Sequence, residues 1–126
     1  MFSMLYDKLI KKALEARKFA YAPYSRSKVG AALIAKSGKI YTGCNIENAS
    51  LGLGLCAERV ALFKALSEGE KGFRAIVVAA HEFFPPCGAC LQVLHEFAPN
   101  IDVILVNKAG KQKAYKLNAL LPHPFR

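Results

Sequence analysis

Two spacings of apolar residues alternate along this chain. Over 4–19, Leu5, Leu9, Ile10, Ala13 and Leu14 recur at helical intervals, on towards Ala20, with lysines and glutamates between them. Asp7 suits the first turn of such a helix and Lys18 the last. "YAPYS" breaks it. The run "KVGAALIA" (28–35) then predicts a strand, "KSGK" (36–39) a tight turn and "IYTGCNI" (40–46) the returning strand of a hairpin. A glycine-punctuated loop, 47–55, leads to a helix over 56–66, which "SEGEKG" ends.

The second half repeats the alternation with longer apolar runs. "RAIVVAAH" (74–81) and "DVILVN" (102–107) are continuous enough to predict strands buried on both faces. Between them, "CGACLQVLHEFAP" predicts a short helix stopped by Pro99, and "QKAYKL" (112–117) an edge-like strand after a turn at 108–111. The order is helix, two strands, helix, strand, helix, strand, strand. It argues for a mixed sheet, mostly of five strands, with helices on both faces. At 126 residues, without repeats or linkers, the chain reads as one domain, 1–126.

Composition narrows the class. With 53% apolar and 21% charged residues the chain is globular, and no apolar run is long enough to span a bilayer. The charged N-terminus reads as an amphipathic helix and not a signal peptide, so a cytoplasmic location is expected. The net charge of +9 admits nucleic acid as a partner, but the basic residues are spread over helix faces and a hairpin, as on a solvated surface.

Chemistry concentrates at three cysteines. Cys87 and Cys90 stand three apart at a helix start, where free N–H groups and the helix dipole favour thiolate. Cys56 opens another helix 31 residues earlier, with a strand between. A helix–strand–helix crossover can bring both starts to one end of the sheet. Three ligands and an open fourth position describe a catalytic zinc whose water is activated, with Glu58 placed to move the proton. Arg59 can draw charge from the thiolates and so restore the acidity of the metal. Taken singly, Cys-x-x-Cys also fits redox or structural use, and Glu58 with Arg59 fits a salt bridge at a helix start. Cys44 reads as a small core residue, and His81, His95 and His123 lie outside the constellation.

These residues resemble the zinc-dependent nucleoside deaminases, and more narrowly the small homotetrameric cytidine deaminases. The resemblance lies in "APYS…VGAAL" (22–33), "TGCNIENAS" (42–50), "CAER" (56–59), "PCGAC…QVLHEF" (86–97) and "LLPHPF" (120–125). It implies a three-layer α/β/α sandwich, one zinc per subunit held by Cys56, Cys87 and Cys90, and Glu58 as proton shuttle. It also implies ribose contacts from Asn45 and Glu47, backbone contacts to the base around Ala57 and Pro86, and Phe125 reaching into a neighbouring subunit's pocket. The substrate implied is cytidine or 2′-deoxycytidine. Three positions depart from the family pattern: Ser27 stands where an aromatic lines the pocket, Leu51 where a tyrosine is usual, and Leu91 where an arginine is common. Two other readings stand beside this one. One is a deaminase of a modified cytosine nucleoside, blasticidin-like; the other is a basic nucleic-acid-binding or editing module.

Overall fold

The computed structural model describes residues 4–126, so the first three residues of the predicted domain lie outside it. The chain runs α1 (Met4–Arg17), β1 (Gly30–Ala35), β2 (Ile40–Cys44), a 3-10 turn (Leu51–Leu53), α2 (Ala57–Ser67), β3 (Phe73–Ala79), α3 (Gly88–Phe97), β4 (Asp102–Val106), β5 (Gln112–Lys116) and α4 (Leu117–Leu120). The strands form one sheet in the order β2-β1-β3-β4-β5. Only β3 and β4 are parallel; their crossover carries α3, as a parallel pair requires. The predicted mixed five-stranded sheet is the one present.

Both faces are covered. Leu9, Ile10 and Ala13 of α1 pack on Ala32, Ile34, Ala75, Val77 and Ile104. On the opposite face, Ala61 and Leu62 of α2, Leu91 and Leu94 of α3 and Leu117 of α4 pack on Leu33, Ile76, Val78, Val103 and Leu105. The period of two in β1, β3 and β4 sends alternate side chains to each layer, which is why these runs read as continuously apolar.

Close approach of helix to sheet depends on two glycines. A Cβ on Gly30 would lie 2.2 Å from the Ala13 carbonyl oxygen of α1, and one on Gly43 would lie 2.6 Å from the Ala57 carbonyl oxygen of α2. Each helix therefore sits closer to its strand than any side chain would allow. The edge strand β5 is exposed throughout, and its lysines discourage pairing with another edge; Lys116 bonds Asp102 of β4 at 2.7 Å.

The ends of the predicted elements shift for identifiable reasons. The helix expected over 4–19 stops at Arg17, whose Nε donates to the Lys28 carbonyl at 2.9 Å. The strand expected from 28 begins at Gly30, because Val29 N–H donates to Asn45 Oδ1 at 2.8 Å rather than to a neighbouring strand. Its partner ends at Cys44; beyond it Ile46 makes single bridges to Tyr21 and to Leu55. Those bridges tie 21, 46 and 55 together just ahead of Cys56.

Candidate active site

Cys56 and Cys87 each stand one residue before a helix, α2 and α3. Cys56 is the N-cap of α2 and Cys87 that of α3, both with extended backbone, while Cys90 lies in the first turn of α3 and is fully buried. The intervening β3 runs back across the sheet and brings the two starts together. Cys56 Sγ is 3.7 Å from Cys87 Sγ, which is 3.5 Å from Cys90 Sγ, and all three sulfurs lie within 4.8 Å of one another. Tetrahedral bonds of 2.3 Å to sulfur would space ligands by about 3.8 Å, so these thiols fit one zinc ion. Among the described residues no histidine, aspartate or glutamate joins them as a fourth ligand.

The charge balance fits as well. The Cys90 thiol pulls the Cys56 thiol below its ordinary value; burial opposes this, and Arg59 adds to the pull. Cys90 is pushed the other way by its hydrogen bond with Cys56 and by burial. One thiolate forms readily and the next resists, as in a cluster that a cation completes. Arg59 Nη2 donates to Cys56 Sγ at 3.5 Å, and that bond holds the guanidinium proton more tightly than usual. Arg59 Nε is buried without a hydrogen-bond partner. This guanidinium is thus committed to the thiol cluster and not to a salt bridge with Glu58.

Glu58 is only 4% exposed, on the first turn of α2, and burial pushes its carboxyl up to about 7. It lines a cavity of about 210 Å³ together with Ser27, Asn45, Cys56, Ala57 and Cys87. A second cavity, of about 300 Å³, adjoins it at Ser25, Asn45 and Cys56, and is lined further by Tyr24, Glu47, Asn48, Leu51 and Arg59. A metal site and a buried carboxyl thus share one chamber, and a polar chamber opens beside it.

Asn45 and Glu47 already work for the fold. Asn45 accepts from Val29 N–H and donates through Nδ2 to the Ser27 carbonyl at 2.8 Å. Glu47 Oε1 accepts from the N–H groups of Tyr24 and Ser25 at 3.0 and 3.1 Å, and Oε2 accepts from the Ser25 hydroxyl. The Ser25 bonds hold the Glu47 carboxyl below its usual range. Both side chains staple the 24–29 loop over the cavities, and each retains lone pairs, or for Asn45 a further N–H, for a ligand.

Ala57 is fully buried at the head of α2, and Pro86 is buried beside Cys87. Phe125 lies outside both cavities and is 83% exposed; its backbone N–H and carbonyl are held by Gln92 Oε1 and Nε2 at 2.9 and 3.0 Å. Leu51 is exposed in the 3-10 turn at the rim of the second cavity. Leu91 is a core residue of α3, where an arginine would have to be buried. Cys44 is half-buried on the edge strand β2, less enclosed than expected, and its burial raises its thiol. Ser25, Tyr24, Phe84 and Pro85 line the site without having been anticipated; they sit in loops, where no periodicity marks a side chain's direction.

The geometry is that of three clustered thiols able to hold one metal ion, with a buried carboxyl on the same cavity. The family model of the zinc-binding region of cytidine and deoxycytidylate deaminases matches residues 4–107. The chain belongs to this family of zinc-binding deaminases. It is 52% identical over 120 residues to the cytidine deaminase of Halalkalibacterium halodurans, covering 93% of this chain and 91% of that one. It is 47% identical over 122 residues to that of Sporosarcina psychrophila, covering 94% and 90%. The crystal structure of cytidine deaminase from Burkholderia pseudomallei matches with a TM-score of 0.91 at 48% identity, covering 95% of this chain and 98% of that one.

Proposed function

We propose that this protein deaminates cytidine and 2′-deoxycytidine hydrolytically, giving uridine or 2′-deoxyuridine and ammonia, in pyrimidine salvage. The observation that carries the reading is a cluster of three thiols, two of which, Cys56 and Cys87, line one cavity with the buried carboxyl of Glu58. Cys56, Cys87 and Cys90 hold the zinc. When bound, zinc supplies the Lewis acidity that makes water nucleophilic at neutral pH.

Glu58 takes a proton from the attacking water and passes it to N3 of the ring as the C4–O bond forms. It then carries the second proton to the amino nitrogen; the C4–N bond breaks and ammonia leaves. Arg59 donates to Cys56 and moderates the charge of the thiolates. The Ala57 N–H, free at the head of α2, faces the polar edge of the base. Asn45 and Glu47, on the adjoining cavity, bind the ribose hydroxyls with the capacity that the 24–29 loop leaves them.

The proposed assembly is a homotetramer with shared sites. Leu51 and Leu53, exposed together on one 3-10 turn, support it as an apolar patch that another copy can cover, and Phe125 is exposed as well. Phe125 then enters a neighbouring subunit's pocket. A cytoplasmic location suits three thiols that must stay reduced to bind metal; among the described residues no helix is long and apolar enough to cross a membrane.

The test is the fall in ultraviolet absorbance of cytidine and 2′-deoxycytidine with the zinc-loaded protein. Turnover that a chelator stops and added zinc restores is expected. A zinc-loaded protein that turns over neither nucleoside would sink the reading. Sedimentation of the same sample reads the assembly, and a monomer mass at assay concentration would remove the shared site.

A further inference from the structure

We infer that Phe84 is the aromatic wall of the base-binding cavity and fixes how tightly that cavity grips a pyrimidine; this rests on the deaminase reading above. Phe84 is the sole aromatic side chain among the described residues lining the cavity that holds Cys56, Glu58 and Cys87. A flat heterocycle brought beside those groups needs an apolar face to replace the water it loses. Phe125 of the same subunit points elsewhere, with its main chain held by Gln92.

The loop that carries Phe84 separates two adjacent rings. Phe83 is half-buried, packs on the core of the α2/α3 face, and lies 4.5 Å from Lys113 Nζ across its ring. Phe84 is not used by the core: it remains 43% exposed. A tight turn, in which the Phe84 N–H donates to the Glu82 carbonyl at 2.9 Å, sets the two rings apart. Pro85 and Pro86 then stiffen the path from Phe84 to Cys87. The wall is therefore fixed relative to a zinc ligand, as a contact that positions a reacting ring must be.

Ser27 completes the argument. Ser27 and Phe84 both line this cavity and both line the next one, beside Arg26 and His81, so they stand at one boundary. One side of that boundary is large and aromatic and the other small. Within the subunit, Phe84 is the ring that this boundary offers to the base, and Ser27 leaves the space opposite it open. The small hydroxyl at position 27 is then the counterpart of Phe84 and not a missing contact.

The test is steady-state kinetics on cytidine, with zinc content and melting temperature, for wild type, F84A, F84L, F84Y, S27F and S27F/F84A. F84A is expected to raise KM about 10-fold with kcat within about 3-fold and zinc retained. F84Y keeps the ring face and should hold a KM well below that of F84A and F84L. S27F alone should raise KM, because two rings crowd one space, yet in the F84A background it should recover most of the loss. F84L keeps the apolar bulk without the ring face and should follow F84A, so it serves if F84A does not fold. An unchanged KM in F84A and F84L overturns the inference. So does a KM rise that comes with zinc loss, or a double variant no better than F84A. Those results presuppose an active wild type; a zinc-loaded wild type inactive on cytidine overturns the deaminase reading and this inference with it.

Discussion

On one face of the sheet α1 lays an apolar stripe, Leu9, Ile10 and Ala13, along β1 and β3; on the other, α2 and α3 bring their first turns together over the same strands. Each face has a glycine that lets its helix approach, Gly30 under α1 and Gly43 under α2. Both layers bury comparable kinds of side chain. What differs is which part of the helix is near the sheet's functional end. The α1 face presents a helix body, whose backbone groups are all satisfied within the helix. The α2/α3 face presents two helix starts, each with unbonded N–H groups and the positive end of a dipole. In the second setting the Cys56 thiol is pulled below its ordinary value, while burial pushes the neighbouring Glu58 carboxyl up to about 7. Chemistry follows from exposing helix starts rather than from any difference in hydrophobic cover.

The sharpest way to separate the faces is to damage each at its centre. Glu58→Gln keeps the shape of the carboxyl and removes its proton chemistry. It is expected to lower kcat on cytidine by about 10²–10⁴-fold with zinc content and melting temperature unchanged. Normal turnover in that variant would take Glu58 out of the mechanism. Leu9→Ala, fully buried on the other face, is expected to cost about 2–5 kcal/mol of stability, read by urea denaturation, while turnover per folded molecule stays at wild type. Lost turnover at full folding would mean that the faces are coupled.

The two glycines give a closer comparison. Gly43→Ala and Gly30→Ala each force a helix away from its strand, and each is expected to cost about 1–3 kcal/mol. Gly43 presses on the Ala57 carbonyl, one residue from Cys56 and Glu58, so its variant should also weaken zinc binding and lower kcat. Gly30 presses on Ala13 and Arg17, so its variant should leave zinc affinity alone. Equal losses of zinc in both would show that the site is set by the sheet as a whole.

The same contrast explains which features the sequence displays by itself. Continuous apolar runs at 74–81 and 102–107 give buried strands because both faces are covered, and the helical period of α1 shows because one side of it meets water. The clustering of the three thiols was legible because two stand three apart at one helix start and the third opens the preceding helix, with one strand between them. The loops were not. Asn45 and Glu47 hold the 24–29 segment by hydrogen bonds that span 16 to 23 residues, and these delay the start of β1. No local pattern reports such bonds. Phe84 was invisible for a related reason: in a proline-bounded loop, which of two adjacent rings faces the core depends on a single turn. The four-residue α4 carries too little period to be told from the end of a strand.

The smallest expected effect concerns the caps themselves. Cys56 and Cys87 occupy N-cap positions with extended backbone, and neither side chain caps its helix. Serine, threonine, aspartate and asparagine favour that position because their oxygen accepts from a free N–H in the first turn. A thiol is a weak acceptor, so the protein forgoes roughly 1 kcal/mol at each helix start to place a sulfur there. Cys87 is the better place to measure this, being exposed and free of the Arg59 bond that Cys56 receives. Its carbonyl already accepts from Leu91 N–H at 2.9 Å, so a hydroxyl needs no change of backbone to cap α3. In chelator, Cys87→Ser is expected to be more stable than wild type by about 0.5–1 kcal/mol. With zinc present the order should reverse, because ion binding stabilises only the fold that holds it, and the variant holds it weakly. Paired urea titrations with and without chelator read both signs. A variant less stable than wild type in chelator would mean that the sulfur contributes to packing even without the ion, and that this helix start forgoes nothing for its chemistry.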